Sequence, residues 1–235
     1  MHYFYSDNWE AKTCFFDVLE SKHILKSMRK KSGEVIHVLD GSGGLYRCRI
    51  ALDDAGLAKG SVIDEQQFEP PAHQLHLAIA PTKNQSRIET MLEKATEMGL
   101  SRLLPMRCRH SERVHLKMDR LYKIAISAMK QSGNPFLPQI ENPMDFSDLI
   151  EMHRNWKGDK AIAYLSDEDD LTPFDQRLLQ HPQTLLLIGP EGDFSKQEID
   201  LALQSGFTGV TLGSLRLRTE TAGIFAAATI HALNL

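Results

Sequence analysis

The sequence predicts an α/β protein in which a strand-rich first part precedes a mostly parallel sheet covered by helices on both faces. Three observations predict it. From Leu75 onward, short runs rich in Val, Ile and Leu alternate with stretches whose apolar residues recur every three or four positions. Before that point, β-branched runs are joined by a glycine-rich turn rather than by helical stretches. Between the two regions stands Glu69-Pro70-Pro71-Ala72, and two prolines after a strand make a linker. The expected domains are therefore residues 1–70 and 71–235.

In the first domain, residues 23–31 predict a short amphipathic helix with a basic end, stopped by Gly33. Residues 34–39 and 46–52 predict two strands, with the hairpin turn Asp40-Gly41-Ser42-Gly43-Gly44 between them. No helical pattern follows those glycines, so they read as a turn and not as a dinucleotide loop. Residues 61–68 predict the last strand before the linker.

In the second domain, residues 75–80 predict a strand. A helix over 87–98 follows, with Ile88, Met91, Leu92 and Ala95 on one face and Gly99 as its stop. Residues 103–106 predict a strand. Over 117–132 apolar residues fall at 118, 121, 122, 125 and 129, a helical stripe opposite Lys117, Arg120, Lys123 and Lys130. Residues 161–165 predict a strand leading into the acidic loop at 167–170, and 184–188 predict another. A helix begins at Ser195, where Ser195 and Glu198 have the spacing of a capping box and Gly206 closes the helix. A strand at 208–212 precedes the final helix, expected over 221–233.

Composition narrows the function classes. The chain has 235 residues, 42% hydrophobic and 25% charged, ordinary for a soluble globular protein with a real core. No apolar run approaches the ~20 residues of a membrane span, and the N-terminus lacks the charge and hydrophobic pattern of a signal peptide. Cys14, Cys48 and Cys108 are odd in number and widely spaced, which speaks against disulfides and structural zinc. With no histidine cluster either, no metal is expected and a cytoplasmic location is. The net charge of −4 hides an asymmetry. Residues 71–140 hold 11 basic and 5 acidic side chains, whereas 141–235 hold 7 and 15. A segregated basic region suits a surface that meets phosphates, and equally a solvated face. The candidates for such contact are Arg29, Lys30, Lys83, Arg87, Arg109, Arg113 and Lys130, with Lys31, Lys117 and Arg120 beside them.

Two loops carry the chemistry. Gly189-Pro190-Glu191-Gly192 follows a buried strand and opens into a helix. Residues 212–218, Leu-Gly-Ser-Leu-Arg-Leu-Arg, follow the next strand and open into the last helix. Glycines let main-chain groups approach a ligand, and interleaved leucines suit an apolar slot of the kind that holds adenine. There is no Gly-x-x-x-x-Gly-Lys-Ser/Thr and no Gly-x-Gly-x-x-Gly after the first strand of the sheet, so neither a P-loop nor a Rossmann site is supported.

The segments Ile-Gly-Pro-Glu-Gly-Asp-Phe-Ser at 188–195 and Leu-Gly-Ser-Leu-Arg-Leu-Arg-Thr-Glu-Thr-Ala at 212–222 resemble the signature of the bacterial 16S rRNA uracil-N3 methyltransferases, the RsmE type of the SPOUT class. The resemblance extends to residues 94–99, 109–112, 130–133 and 40–46. It implies an N-terminal PUA-like β-barrel and a C-terminal SPOUT domain with a deep trefoil knot, a rarity among folds. It also implies a homodimer, 16S rRNA of the small subunit as partner and S-adenosylmethionine as methyl donor. By resemblance the donor contacts Leu165, Ile188, Gly189, Glu191, Gly192, Leu212, Gly213, Leu215 and Leu217. Three positions depart from the family pattern: Ser214 where proline is usual, Asn134 where arginine is usual, and His110 where arginine is usual.

Methyl transfer from a sulfonium depends mainly on positioning and electrostatics. The N3 of uracil must lose its proton to become a nucleophile, which calls for a cation to stabilise the anion and an acceptor for the proton. Arg218 is the expected cation and Glu220 the candidate base, although a carboxylate in the first turn of a helix is also favoured by the helix dipole alone. Thr219 and Thr221 read as caps. Two rival readings stay open: another RNA target, such as a tRNA ribose 2′-hydroxyl, and a non-catalytic RNA-binding protein on the same fold.

Overall fold

The computed structural model describes residues 2–112, 115–166, 171–175 and 180–235. The chain divides into two compact units, Met1–Pro70 with Ile126–Leu137, and Pro71–Ala125 with Pro138–Leu235. Arg113 and the acidic loop at 167–170 lie outside the described residues.

The first unit holds β1 (Tyr3–Tyr5), β2 (Asn8–Glu10), β3 (Thr13–Phe15), α1 (Val18–Lys22), β4 (Val35–Leu39), β5 (Gly44–Leu52) and β6 (Ala58–Gln67). The strands form one sheet in the order β1-β4-β5-β6-β3-β2, antiparallel except for β1 on β4. Phe4, Cys14, Ile36, Val38, Cys48, Ile50 and Ala58 meet in a single buried cluster, so strands far apart in the sheet order share one core. Only a sheet curled over itself allows this. The first unit is thus a PUA-like half-barrel, open between β1 and β2. Gly60 makes the curl tight: with no side chain on β6, Cys14 and Cys48 from the flanking strands approach to 4.0 Å across it. Both are free thiols, and the hydrogen bond with Cys14, together with burial, pushes that of Cys48 up.

The hairpin turn forms as expected. Asp40 Oδ1 accepts from Ser42 N–H (2.7 Å) and Gly44 N–H (2.8 Å), and Gly41 and Gly43 take φ of 77° and 106°. The helix expected at 23–31 lies earlier. Asp17 caps α1 by accepting from Glu20 N–H at 2.7 Å, and a single π-turn over His23–Ser27 ends the helical path. Arg29 then turns left-handed at φ 53°, so the basic triplet follows the helix instead of lying in it.

The second unit comprises β7 (Gln74–Ile79), α2 (Gln85–Glu97), β8 (Arg102–Arg107), α3 (Met118–Ser132), β9 (Gln139–Ile140), β10 (Met144–Asp145), α4 (Phe146–Met152), β11 (Asp159–Ala163), β12 (Thr172–Pro173), β13 (Gln183–Ile188), α5 (Lys196–Gln204), β14 (Thr208–Thr211) and α6 (Thr219–Leu233), with the last residues of α3 grouped in the first unit. Its strands run β10-β8-β7-β13-β11-β14-β12, with β9 also on β8, and every pairing is parallel. One face of the sheet packs Ala78, Leu104, Ile162, Leu185 and Leu187 against α4 and α5 through Phe146, Leu149, Ile150 and Ala202. On the other face, Gly223 of α6 lies so close to Ile79 and Met91 that a Cβ there would come within 3.2 Å of both. This is the two-sided α/β layer expected of a parallel sheet.

Helix signals mostly fell where the sequence put them. Ser195 and Glu198 form the full capping box of α5, and Gly99 and Gly206 are left-handed past α2 and α5. The short helix α4 and the two-residue strands carry too few residues to show a period. The last helix starts two residues before the expected position.

Candidate functional site

Because the sheet is parallel, its strand ends share one edge. Three of them, from the neighbouring strands β13, β11 and β14, open into loops that enclose a single recess. Ala163, Tyr164 and Leu165 contribute after β11, Ile188 to Glu191 and Asp193 after β13, and residues 211–213 and 215–219 after β14. Ala222 of α6 completes the wall. Ligand sites in α/β folds form at such carboxyl ends.

Local chemistry fixes these loops. Thr219, 5% exposed, donates its hydroxyl to the Gly189 carbonyl at 3.1 Å, tying the start of α6 to the first glycine loop. Thr219 is therefore a cross-link and not the expected cap; the cap position falls on Arg218, which makes no side-chain cap bond. Thr211 accepts from Gly213 N–H at 3.2 Å and donates to the Gly213 carbonyl, holding that glycine at φ 120°. Arg216 donates to the Glu191 carbonyl at 3.4 Å. A Cβ on Gly189 would sit 3.1 Å from the Phe194 ring, so that stretch of wall is bare main chain for lack of room.

Of the nine residues expected to contact a methyl donor, Leu165, Ile188, Gly189, Glu191, Leu212, Gly213, Leu215 and Leu217 line the recess. Gly192 lies behind the wall, where a Cβ would meet His110 at 3.3 Å. Arg218 lines the recess as well. Glu220 does not: it faces α2, with Oε1 3.7 Å from Arg87 Nε and Oε2 buried without a partner. Sequence reasoning missed Tyr164, Asp193, Arg216 and Ala222 on the wall. A left-handed aspartate has no sequence signal beyond its place after glycine.

The basic candidates divide by their partners. In the first unit Arg29 is exposed, Lys30 pairs with Glu34 at 3.0 Å and Lys130 with Glu20 at 2.7 Å. In the second unit Lys83 pairs with Glu112 at 3.2 Å, Arg87 with Glu220, and Arg120 with Glu89 at 2.5 Å. Arg109 donates to Gln197 at 3.3 Å and its main-chain N–H to Glu198 at 2.8 Å. Lys83 and Arg109 follow β7 and β8, hence they stand at the same carboxyl edge as the recess. Cys108, beside them, is no nucleophile: burial pushes its thiol up to about 12. Among the described residues no group of three His, Cys, Asp or Glu side chains could hold a metal ion. Nor is any described helix long and apolar enough to cross a membrane.

Comparison with known proteins decides the family. The RNA methyltransferase domain model matches residues 69–231 and the RNA methyltransferase PUA domain model matches 20–62. The ribosomal RNA small subunit methyltransferase E of Synechocystis is 31% identical over 90% of this chain and 70% of its own length. The chain belongs to the RsmE-type RNA methyltransferases. Among solved structures, a probable rRNA-methyltransferase from Porphyromonas gingivalis is 33% identical, with a TM-score of 0.87 over 100% of this chain and 98% of its own. The ribosomal RNA small subunit methyltransferase E from Neisseria gonorrhoeae, solved bound to S-adenosyl methionine, is 25% identical, with a TM-score of 0.82 over 99% and 98%.

Proposed function

We propose that this RsmE-type enzyme methylates the N3 of a uridine in 16S rRNA, with S-adenosylmethionine as donor. The observation that carries the reading is the recess closed by the adjacent ends of β11, β13 and β14. Its residues suit the donor. Leu165, Leu212, Leu215 and Leu217 offer apolar faces to a planar adenine, and Gly189 and Gly213 leave main-chain groups bare for its polar edge. Ile188 and Glu191 complete the set. When bound, the donor supplies an electrophilic methyl group. The chain supplies position and charge. Arg218, on the wall at the start of α6, stabilises the uracil anion as N3 loses its proton. Glu220, the carboxylate the sequence offered as base, faces Arg87 outside the recess, so the proton passes to water and not to it.

Residues 1–70 act as the RNA-holding PUA-like part and 71–235 as the methyltransferase part. Arg29, Lys83 and Arg109 are the strongest RNA contacts; Lys30, Arg87 and Arg113 complete the proposed set, and Lys130, taken up by Glu20, drops out of it. The family pattern further implies that the 212–218 segment is threaded as a trefoil knot, and that the enzyme works in the cytoplasm as a homodimer. α6 supports the dimer. Thr221, Phe225, Ala228 and Ala232 are exposed on one face of an otherwise apolar helix, and Phe225 is 42% exposed. Phe225→Asp should give a monomer by sedimentation; an unchanged mass would remove that face from the interface.

The decisive experiment maps methylated nucleotides by mass spectrometry in small subunits from cells lacking the protein. One uridine should lose a methyl group at N3, restored by the wild type and not by Arg218→Ala. The variant should still bind S-adenosylmethionine by calorimetry. Restoration by Arg218→Ala would sink its role, and no change at any uridine would sink the assignment.

A further inference from the structure

The parallel ladder between β11 and β13 ends at the pair Ala163 and Ile188. Beyond it the two chains diverge to form opposite parts of the recess, and Asp193 joins them. Its Oδ2 accepts from Leu165 N–H at 3.1 Å, while Oδ1 accepts from Phe194 N–H at 2.8 Å. Its backbone is left-handed, at φ 60°, and no other non-glycine residue described in the second unit has positive φ. Aspartate tolerates that conformation because its short carboxylate bonds to neighbouring N–H groups. From behind, the His110 ring donates from Nδ1 to the Asp193 carbonyl at 3.1 Å, and Gly192 lies close against the same ring. One residue thereby links the segments that follow β8, β11 and β13.

We propose that Asp193 is a positioning residue that sets the width of the donor pocket by holding the Leu165 end of β11 against the 189–193 loop. The role rests on the reading of the recess as the S-adenosylmethionine site. Leu165 is 55% exposed and lines the rim, so little packing fixes it there. A hydrogen bond to a charged acceptor is what defines its place. The bond adds to the binding of donor and transition state alike, so its loss acts on KM and not on kcat.

Three proteins test this: the wild type, Asp193→Gly, whose glycine suits the left-handed backbone and keeps the fold, and Asp193→Asn. The asparagine amide oxygen replaces one of the two carboxylate acceptors. Calorimetry with S-adenosylmethionine should show about tenfold weaker binding for Asp193→Gly and an intermediate value for Asp193→Asn. KM for the donor should rise in parallel, with kcat held within about twofold. Without any ligand, hydrogen exchange at the Leu165 amide should quicken in Asp193→Gly. Wild-type affinity or unaltered Leu165 exchange in that variant would overturn the role alone. A wild-type protein that does not bind S-adenosylmethionine would overturn the pocket reading and this role with it.

Discussion

Gly213 and Gly189 look alike in the sequence, yet a side chain would fail at each for a different reason. At Gly213 an added Cβ meets nothing within 4 Å, but φ is 120°, where L residues are strained. At Gly189 no φ strain applies, and the obstacle is the Phe194 ring. Gly213→Ala should therefore shift the backbone that Thr211 holds and weaken S-adenosylmethionine binding about tenfold or more by calorimetry. Unchanged affinity would remove Gly213 from the site. The glycines and leucines of this recess were legible because their types, in that spacing, have few other uses. Thr219 and Asp193 were not. Their parts depend on partners about 30 residues away, Gly189 for the first and Leu165 for the second.

Among the elements, periodicity located the long helices and cap chemistry located their ends. α4 and the shortest strands escaped because two to seven residues carry no measurable period. Charge was the least readable property. Lys130 stands on the polar stripe of α3, where the sequence suggests a phosphate contact. Its ammonium instead donates to both oxygens of Glu20, and the two side chains are 17% and 14% exposed. Lys130→Met should leave the half-buried Glu20 with only the Tyr5 N–H and His23 beside it and lower unfolding free energy by about 1 kcal/mol. RNA affinity of the folded variant should change less than about twofold. A stable variant with weakened RNA binding would reverse that assignment and make Lys130 a ligand.

For the molecule as a whole, pH acts through a buried base. His76, on β7, is 7% exposed; its Nδ1 has no partner and its ring packs on Trp156 at 4.9 Å. Burial, helped by the Arg102 charge, lowers its pKa to about 4. The unfolded chain takes up that proton near pH 6.5, so the stabilisation is complete above that value and is lost as pH falls towards 4. The full loss is about 3 kcal/mol, of which roughly 1 kcal/mol has gone by pH 5.5. Urea midpoints at pH 7.5 and 5.5 should show it, and His76→Phe should flatten the difference; a slope that survives the substitution would place the effect elsewhere.

The recess described above is closed by strands drawn from distant parts of the chain. Gln74 on β7 pairs with Gln183 on β13, and Ala161 on β11 with Thr208 on β14. Pairings of such long sequence separation form late, because the entropy of closing the intervening loops must be overcome first. The first unit has a different history, since its hairpin from β4 to β5 closes over a few residues. During synthesis the half-barrel can take shape while the catalytic half is still incomplete. The recess has no precursor in the growing chain. It comes into being only when the final segment, from β14 to α6, arrives, so a nascent chain broken off before residue 208 carries the half-barrel and lacks the recess.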